Sequence, residues 1–322
     1  MKKKVIVDGD WGGDEMQLMA VLLSHPEEAE ILGACAVFGN TDLKQVVRNA
    51  GDILSFLGAK DLPYYVGASS PTGEATLEGD NAHGQNGLGG ATLPQTKRPP
   101  EKSTAVDFIL NTLEKEPEKS ITLIGVGPLT NIAQCFIKAP ETLRRVKEII
   151  IMGGCTTPMK AADRPERSGN ITPYAEFNFY MAARDAKTVL ESGLPIILLP
   201  MNCTHQLSFT DIREKILREA LKEFPRRADI IAKMIAAPHE IDRKKFNAVP
   251  IMHDVHTALS FLDPAAYKGK KGHVAITVGD KESGRSHFSV EENGSVLVME
   301  KIKSPDALFE KIIQAFMTCQ EK

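Results

Sequence analysis

Apolar residues recur along this chain with two alternating periods, and the points where the period changes mark the elements. Val5, Ile6 and Val7 form an unbroken β-branched run, as expected of a strand covered on both faces in a parallel sheet. From Met16 to Leu23 the spacing becomes helical, with Leu18 and Leu22, and Met19 and Leu23, at i,i+4, and Pro26 closes the segment. Ala29 to Phe38 holds a second strand-like run that ends at Gly39-Asn40. Leu43 to Leu57 then reads as a helix with Val46, Val47, Ala50, Ile53, Leu54 and Leu57 inward and Gly58 as its stop. A short strand over Tyr64 to Val66 continues the beat. Such β-α-β-α alternation predicts an α/β fold with a mainly parallel central sheet, flanking helices and right-handed crossovers.

Between Ser69 and about Ser103 the period is lost and glycines and prolines take over, with Asn81 to Gly90 in the middle. Loops of this length are functional or disordered. His83 within it is either a surface residue or a ligand contact. The alternation resumes with a helix over Ala105 to Leu113, a strand over Ile121 to Gly127, a helix opened by Gly127-Pro-Leu-Thr-Asn131, and a strand over Glu148 to Met152 that leads into a polar loop reaching Pro173. Further on, Pro195 to Met201 reads as a strand, Thr210 to Ala237 as helix broken at Pro225, and His239 to Asn247 as a lid or a solvated connection. Met252-His-Asp-Val-His256 opens an apolar helix through Leu262. The tail predicts a strand near His273 to Val278, a hairpin around Asn293-Gly294, and a helix from Pro305 to Phe316. No repeat, low-complexity tract or linker interrupts the chain, so residues 1–322 are expected to form a single domain.

Composition narrows the partners. With 42% hydrophobic and 25% charged residues, the chain can bury a large core. Its 39 basic and 42 acidic residues leave a net charge of −3, so no electropositive field recruits nucleic acid or an anionic membrane, and a small-molecule partner is expected. The five scattered cysteines lack a CxxC pair and read as free thiols in a reducing compartment. Met-Lys-Lys-Lys is followed by three apolar residues before Asp8, too few for a signal-peptide core or a membrane span, so a cytoplasmic location is expected.

The chemistry concentrates where the first strand meets the first helix. Asp8 and Asp10 leave the strand while Asp14 and Glu15 enter the helix, at the strand end where open α/β sheets bind ligands. A helix dipole favours acids in its first turn by under about 1 kcal/mol each, too little to offset four clustered charges in a partly dry crevice. A bound cation would do so, and carboxylates without neighbouring Cys or His suit a hard ion, Ca²⁺ or Mg²⁺. The plainer alternative has Asp14 capping the helix, Glu15 facing solvent, and Asp8 and Asp10 making turn hydrogen bonds. Glycines flank Val126, so its carbonyl could reach a ligand or merely sit in a tight turn. Ala175-Glu-Phe-Asn178, with Asn170 upstream, combines amides and an acid suited to a sugar diol, whereas helix capping would use only one of them. His253 beside Asp254 is either an acid or a satisfied structural pair.

Taken together these segments resemble the nucleoside hydrolases, the inosine-uridine preferring family. Asp8-Gly-Asp-Trp-Gly-Gly-Asp-Glu15 is similar to the family's DxDxGxDD signature, Val37-Phe-Gly-Asn40 to its asparagine strand end, and Gly127-Pro-Leu-Thr-Asn131 to its GPLTN turn. Met152-Gly-Gly154, Ala175-Glu-Phe-Asn178 and His253-Asp254 follow in family order. The resemblance implies a Rossmann-like core and a Ca²⁺ site made by Asp10, Glu15, the Val126 carbonyl and Asp254. It also implies a ribose site lined by Asp14, Asn40, Met152, Asn170, Glu176 and Asn178, with Phe177 beside it and His83 nearby. The implied reaction is hydrolysis of the N-glycosidic bond of a nucleoside to ribose and free base. Asp10 takes the proton of a calcium-activated water, and His253 protonates the departing base. A homodimer or homotetramer is implied as well. Trp11 is the single tryptophan, which argues against a leaving-group site of stacked tryptophans.

Three features depart from the family pattern. Glu15 stands where an aspartate is usual, Asn202-Cys-Thr204 where Asp-Val-Thr is common, and the loop between Met152 and Asn170 is longer. Two rivals stand beside this reading: a non-catalytic calcium- or ribose-binding relative, motivated by Glu15, and a Mg²⁺-dependent phosphatase of the haloacid dehalogenase type, whose DxD also follows a first strand but continues with Gly-Thr where this chain has Trp11-Gly12.

Overall fold

The computed structural model describes residues 2–73, 86–236, 244–246 and 249–319. Its first strand, β1 (Lys3–Gly9), is flanked on one side by β2 (Ala29–Ala36) and β3 (Tyr64–Val66), and on the other by β4 (Ile121–Gly125), β5 (Glu148–Met152) and β8 (Ile196–Leu199). All of these pair in parallel, and β11 (Val296–Ile302) adds a seventh parallel strand beyond β8. The expected α/β architecture with a mainly parallel sheet is therefore present. The chain winds outward from β1 in one direction and then in the other, so β1 lies at the topological switch point.

Alternation along β1 sends Val5 and Val7 to one hydrophobic cluster and Ile6 to the other, so both faces are covered. One face carries α1 (Gly13–Leu23), α2 (Leu43–Phe56), α9 (Asp211–Ala220), α10 (Pro225–Ala236), α11 (Val255–Leu262) and α12 (Pro305–Thr318). The other carries α3 (Ala105–Lys115), α4 (Thr130–Lys138) and α7 (Ala183–Leu190). Helix α1 packs against α10, α11 and α12 at once, and every residue from Gly13 to Leu22 is buried. A helix covered all round needs no polar stripe, and from Met16 to Leu22 its one polar residue is Gln17.

The tail corrects an expectation. No hairpin forms around Asn293-Gly294: β10 (Ser286–Val290) and β11 both pair antiparallel to β9 (Tyr267–Ile276), which lies between them. The apolar β11 is drawn inward to pair with β8, leaving the more exposed β10 as the edge. The polar loop expected after β5 contains the two-residue strands β6 (Met159–Lys160) and β7 (Glu166–Arg167). The predicted strand end at Pro200-Met201 instead turns into α8 (Met201–Thr204). All five cysteines are free and buried. Among the described residues no helix is long and apolar enough to cross a membrane.

Backbone pairing continues past the strands and draws three strand ends together. Val126 N donates to Asp8 O at 2.9 Å and Val37 N to Gly9 O at 3.0 Å. Asn131, in the first turn of α4, secures the junction: its Nδ2 donates to Asp8 Oδ1 (2.7 Å) and Ala36 O (3.1 Å), while its Oδ1 accepts from Ala68 N (2.8 Å). Replacing this amide with an apolar side chain leaves a donor and two acceptors buried without partners. Asn131→Leu is expected to lower stability by about 2–4 kcal/mol in urea unfolding, and a loss under about 0.5 kcal/mol would show the junction to be held by other contacts.

Candidate active site

The turn between β1 and α1 is built around two carboxyl groups. Asn40 N donates to Asp10 Oδ2 at 2.7 Å, and a β-carbon at Gly39 would stand 2.1 Å from that oxygen, so the second strand end closes tightly over Asp10. Glu15 reaches back to accept from Gly12 N at 2.7 Å through Oε2, while its Oε1 is buried and receives no hydrogen bond from the described residues. Between them Trp11 adopts φ +31°, a region disfavoured for any residue with a side chain. Its indole Nε1 donates to Cys35 O (2.8 Å) and its carbonyl accepts from Asn49 Nδ2 (3.0 Å), which hold the strained turn in place. Trp11 is thus a fully buried structural residue of this turn.

Three more strand ends supply the rest. After β5, Glu176 caps α6 (Phe177–Met181): its Oε1 accepts from Asn178 N (2.8 Å), and its Oε2 from Gly154 N (2.7 Å) and Phe179 N (3.2 Å). Asn170 Oδ1 takes the free Phe177 N at 3.1 Å. The capping alternative therefore holds for Glu176, and Asn170 joins it from outside the helix. Asn178 does something else: its Nδ2 donates to the carbonyls of Val126 (3.1 Å) and Met152 (3.2 Å), joining the ends of β4 and β5. At the start of α11, Asp254 occupies the cap position and His253 Nδ1 lies 2.7 Å from Thr204 Oγ1. Because the Thr204 hydroxyl donates to Met201 O (3.2 Å), it accepts from Nδ1–H, and this assigns the tautomer.

Electrostatics tie the groups into one site. Asp254 is raised well above the carboxylate range by burial first, then by the charges of Asp14, Glu15, Asp10 and Glu176. Asp10 is raised likewise by burial, by the Glu15 charge and by the hydrogen bond it donates to Glu15 when protonated. Burial raises Glu15 and Glu176 as well, opposed by their backbone N–H donors. The positive charge of His253 draws Glu176 the other way. These contacts connect Asp10, Asp14, Glu15, Asn40, Val126, Met152, Asn170, Glu176, Phe177, Asn178, His253 and Asp254 in one place. His83 lies outside the described residues.

The model of the inosine-uridine preferring nucleoside hydrolases matches residues 5–308. The chain belongs to that family. It is 36% identical over 275 residues to an uncharacterized protein of Schizosaccharomyces pombe, covering 85% of this chain and 84% of that one. It is 29% identical over 274 residues to the pyrimidine-specific ribonucleoside hydrolase RihA of Klebsiella pneumoniae, covering 83% and 82%. Among solved structures, the purine-preferring ribonucleoside hydrolase of Gardnerella vaginalis superposes with a TM-score of 0.86 at 25% identity, covering 99% of each chain. This nucleoside hydrolase is accordingly a glycosidase that cleaves the N-glycosidic bond of ribonucleosides, and the phosphatase alternative falls away.

The family commonly binds a metal ion. Among the described residues no group of three or more His, Cys, Asp or Glu side chains is arranged to hold one as it stands. The donor chemistry nevertheless fits a hard cation: buried, mutually repelling carboxyls meet beside the unpartnered Glu15 Oε1. The Val126 carbonyl retains a second lone pair beside its bond from Asn178.

Sequence reasoning passed over Asn131, Thr204 and Trp11 as site builders. Asn131 and Thr204 stand inside quoted motifs, but their partners are too distant along the chain for spacing to show. His256, named only as the end of its motif, is a structural group: burial pushes it down to about 3, and its Nδ1 sits 2.7 Å from Tyr267 Oη.

The shifts fix a pH dependence. Burial raises Asp8 from 3.8 to about 7, only partly opposed by the Asn131 hydrogen bond, so the folded state binds that proton more tightly than the unfolded chain does. The resulting stability is complete below the unfolded value and is lost as pH rises through about 7. Asp10, Glu15, Glu176 and Asp254 act in the same direction, and His256, which must stay neutral in the folded state, opposes them below its ordinary value of 6.5. In chelator, the urea midpoint should therefore fall between pH about 4 and 7, with Asp8 alone contributing roughly 4 kcal/mol. A midpoint that rises over this range would contradict the buried cluster.

Proposed function

We propose that this enzyme is calcium-dependent, with Asp10, Glu15, Asp254 and the Val126 carbonyl holding the ion, and that it acts in the cytoplasm on free nucleosides. The observation that carries the reading is the convergence of Asp10, Asp14, Glu15 and Glu176 on Asp254, each raising its proton affinity. An all-oxygen donor set favours a hard ion, and Ca²⁺ tolerates the extra methylene that Glu15 introduces. When bound, calcium would orient the attacking water and lower its pKa.

The chain's own groups then divide the work. Asp10 accepts the proton of the attacking water; the grip of Asn40 on Asp10 Oδ2 fixes the carboxyl for that task. Asp14, Asn40 and Glu176 face the ribose hydroxyls. Asn178 uses its amide N–H groups on Val126 and Met152, so it presents Oδ1 to the sugar. Positive charge that develops on the ribosyl carbon and ring oxygen is stabilised by the surrounding carboxylates, as in other glycoside hydrolyses through oxocarbenium-like states. His253, with Nδ1 committed to Thr204, carries its second proton on Nε2 and delivers it to the departing base.

Ribose release from inosine, adenosine, guanosine, uridine and cytidine, with and without prior chelation, tests the metal and ranks the bases. Calcium-restored release is expected; release unaffected by exhaustive chelation would remove the metal from the reading. Asp10→Ala should abolish turnover while the urea midpoint holds or rises, because one repelling buried charge is gone. Unchanged turnover would refute Asp10 as the base. For His253→Ala the loss should be greater on nucleosides than on an activated aryl riboside, whose leaving group needs no proton; equal losses on both would show that His253 does not protonate the base.

A further inference from the structure

Gln17 lies on α1 one turn beyond Asp14, and its Nε2 donates to Asp14 Oδ1 at 2.9 Å. The side chain is fully buried, and its Oε1 has no hydrogen-bond partner among the described residues. Asp14 dictates this arrangement. A carboxylate oxygen only accepts, so the amide must turn its NH₂ toward Asp14 and its carbonyl oxygen away. A buried amide oxygen without a donor costs stability, and an apolar side chain of similar length would avoid that cost on a helix whose other buried positions from Met16 to Leu22 are apolar. Gln17 thus serves Asp14 at the expense of the core.

What it supplies is orientation without charge. Asp14 repels Asp254, which favours rotation of its carboxyl away from that charge, and the Gln17 hydrogen bond opposes that rotation. A neutral donor at i+3 pins one oxygen and leaves the negative charge undiminished, whereas a cation there would neutralise it. We propose that Gln17 is a positioning residue that holds the Asp14 carboxylate toward the ribose and thereby sets how strongly the enzyme distinguishes ribonucleosides from their deoxy counterparts. This rests on the reading of Asp14 as a ribose ligand.

The test compares kcat/KM for a cleaved ribonucleoside with those for its 2′-deoxy and 3′-deoxy counterparts, alongside thermal unfolding, in Gln17→Met, Asp14→Asn and the double variant. Gln17→Leu is the second variant should methionine pack poorly. Gln17→Met should unfold at the same or a higher temperature, yet lose about tenfold in discrimination against the deoxy sugar that Asp14→Asn also ceases to reject. In the Asp14→Asn background it should add nothing. If Asp14→Asn loses discrimination and Gln17→Met keeps it within about twofold, the positioning role is wrong. If Asp14→Asn itself keeps discrimination, the ribose assignment of Asp14 has failed and this proposal with it. A lower unfolding temperature with equal losses on all three sugars would make Gln17 a packing residue only.

Discussion

Like charges buried together at the carboxyl end of β1 are the constraint that the rest of the structure serves. Desolvation and mutual repulsion both oppose gathering Asp10, Glu15, Glu176 and Asp254. The scaffold opposes them with directed N–H groups: Asn40 on Asp10, Gly12 on Glu15, and three backbone amides on Glu176. It also uses close backbone approach, for which Gly39 leaves no room for a side chain above Asp10. Such preorganised dipoles suit a site that must stabilise a developing cation, because they do not reorganise as the charge appears.

Location follows from topology. The switch point at β1 opens a crevice between the ends of β2 and β4, and the carbonyl ends of β4 and β5 are stitched by one amide, Asn178. Asp254 and His253 arrive from the start of α11, which packs against α1 on the same face. The acid cluster, the amides of Asn170 and Asn178 and the histidine therefore come from separate elements that share one rim.

Much of this was legible in the sequence, for identifiable reasons. Parallel strands announce themselves as β-branched or aromatic runs, so the strands over Tyr64–Val66 and Glu148–Met152 were predicted to the residue. The acid-rich turn stood out because capping and turn hydrogen bonds, sufficient for each acid singly, leave four carboxylates in so short a span uncompensated. Relations between distant segments did not show: β9 inserting between β10 and β11, Asn131 joining three strand ends, and Thr204 assigning the tautomer of His253 all depend on register. Glu176 was a diol ligand by chemistry and a cap by position, and only the folded geometry reveals three amides on one carboxylate. Gln17 gave no signal, because a single amide in an apolar helix resembles an ordinary tolerated polar residue.

The central placement of β1 also bears on how the molecule forms. Its pairing with β4 joins Lys4 to Ile121, and the cluster is complete only when Glu176 and Asp254 have also arrived from distant parts of the chain. Contacts of such long range close late. Repulsion among the carboxyls is accordingly absent while the first strands and helices associate, and is felt once the sheet has closed. It acts on the exit from the native state rather than on the way in, so whatever neutralises the cluster slows unfolding and leaves the folding rate nearly untouched.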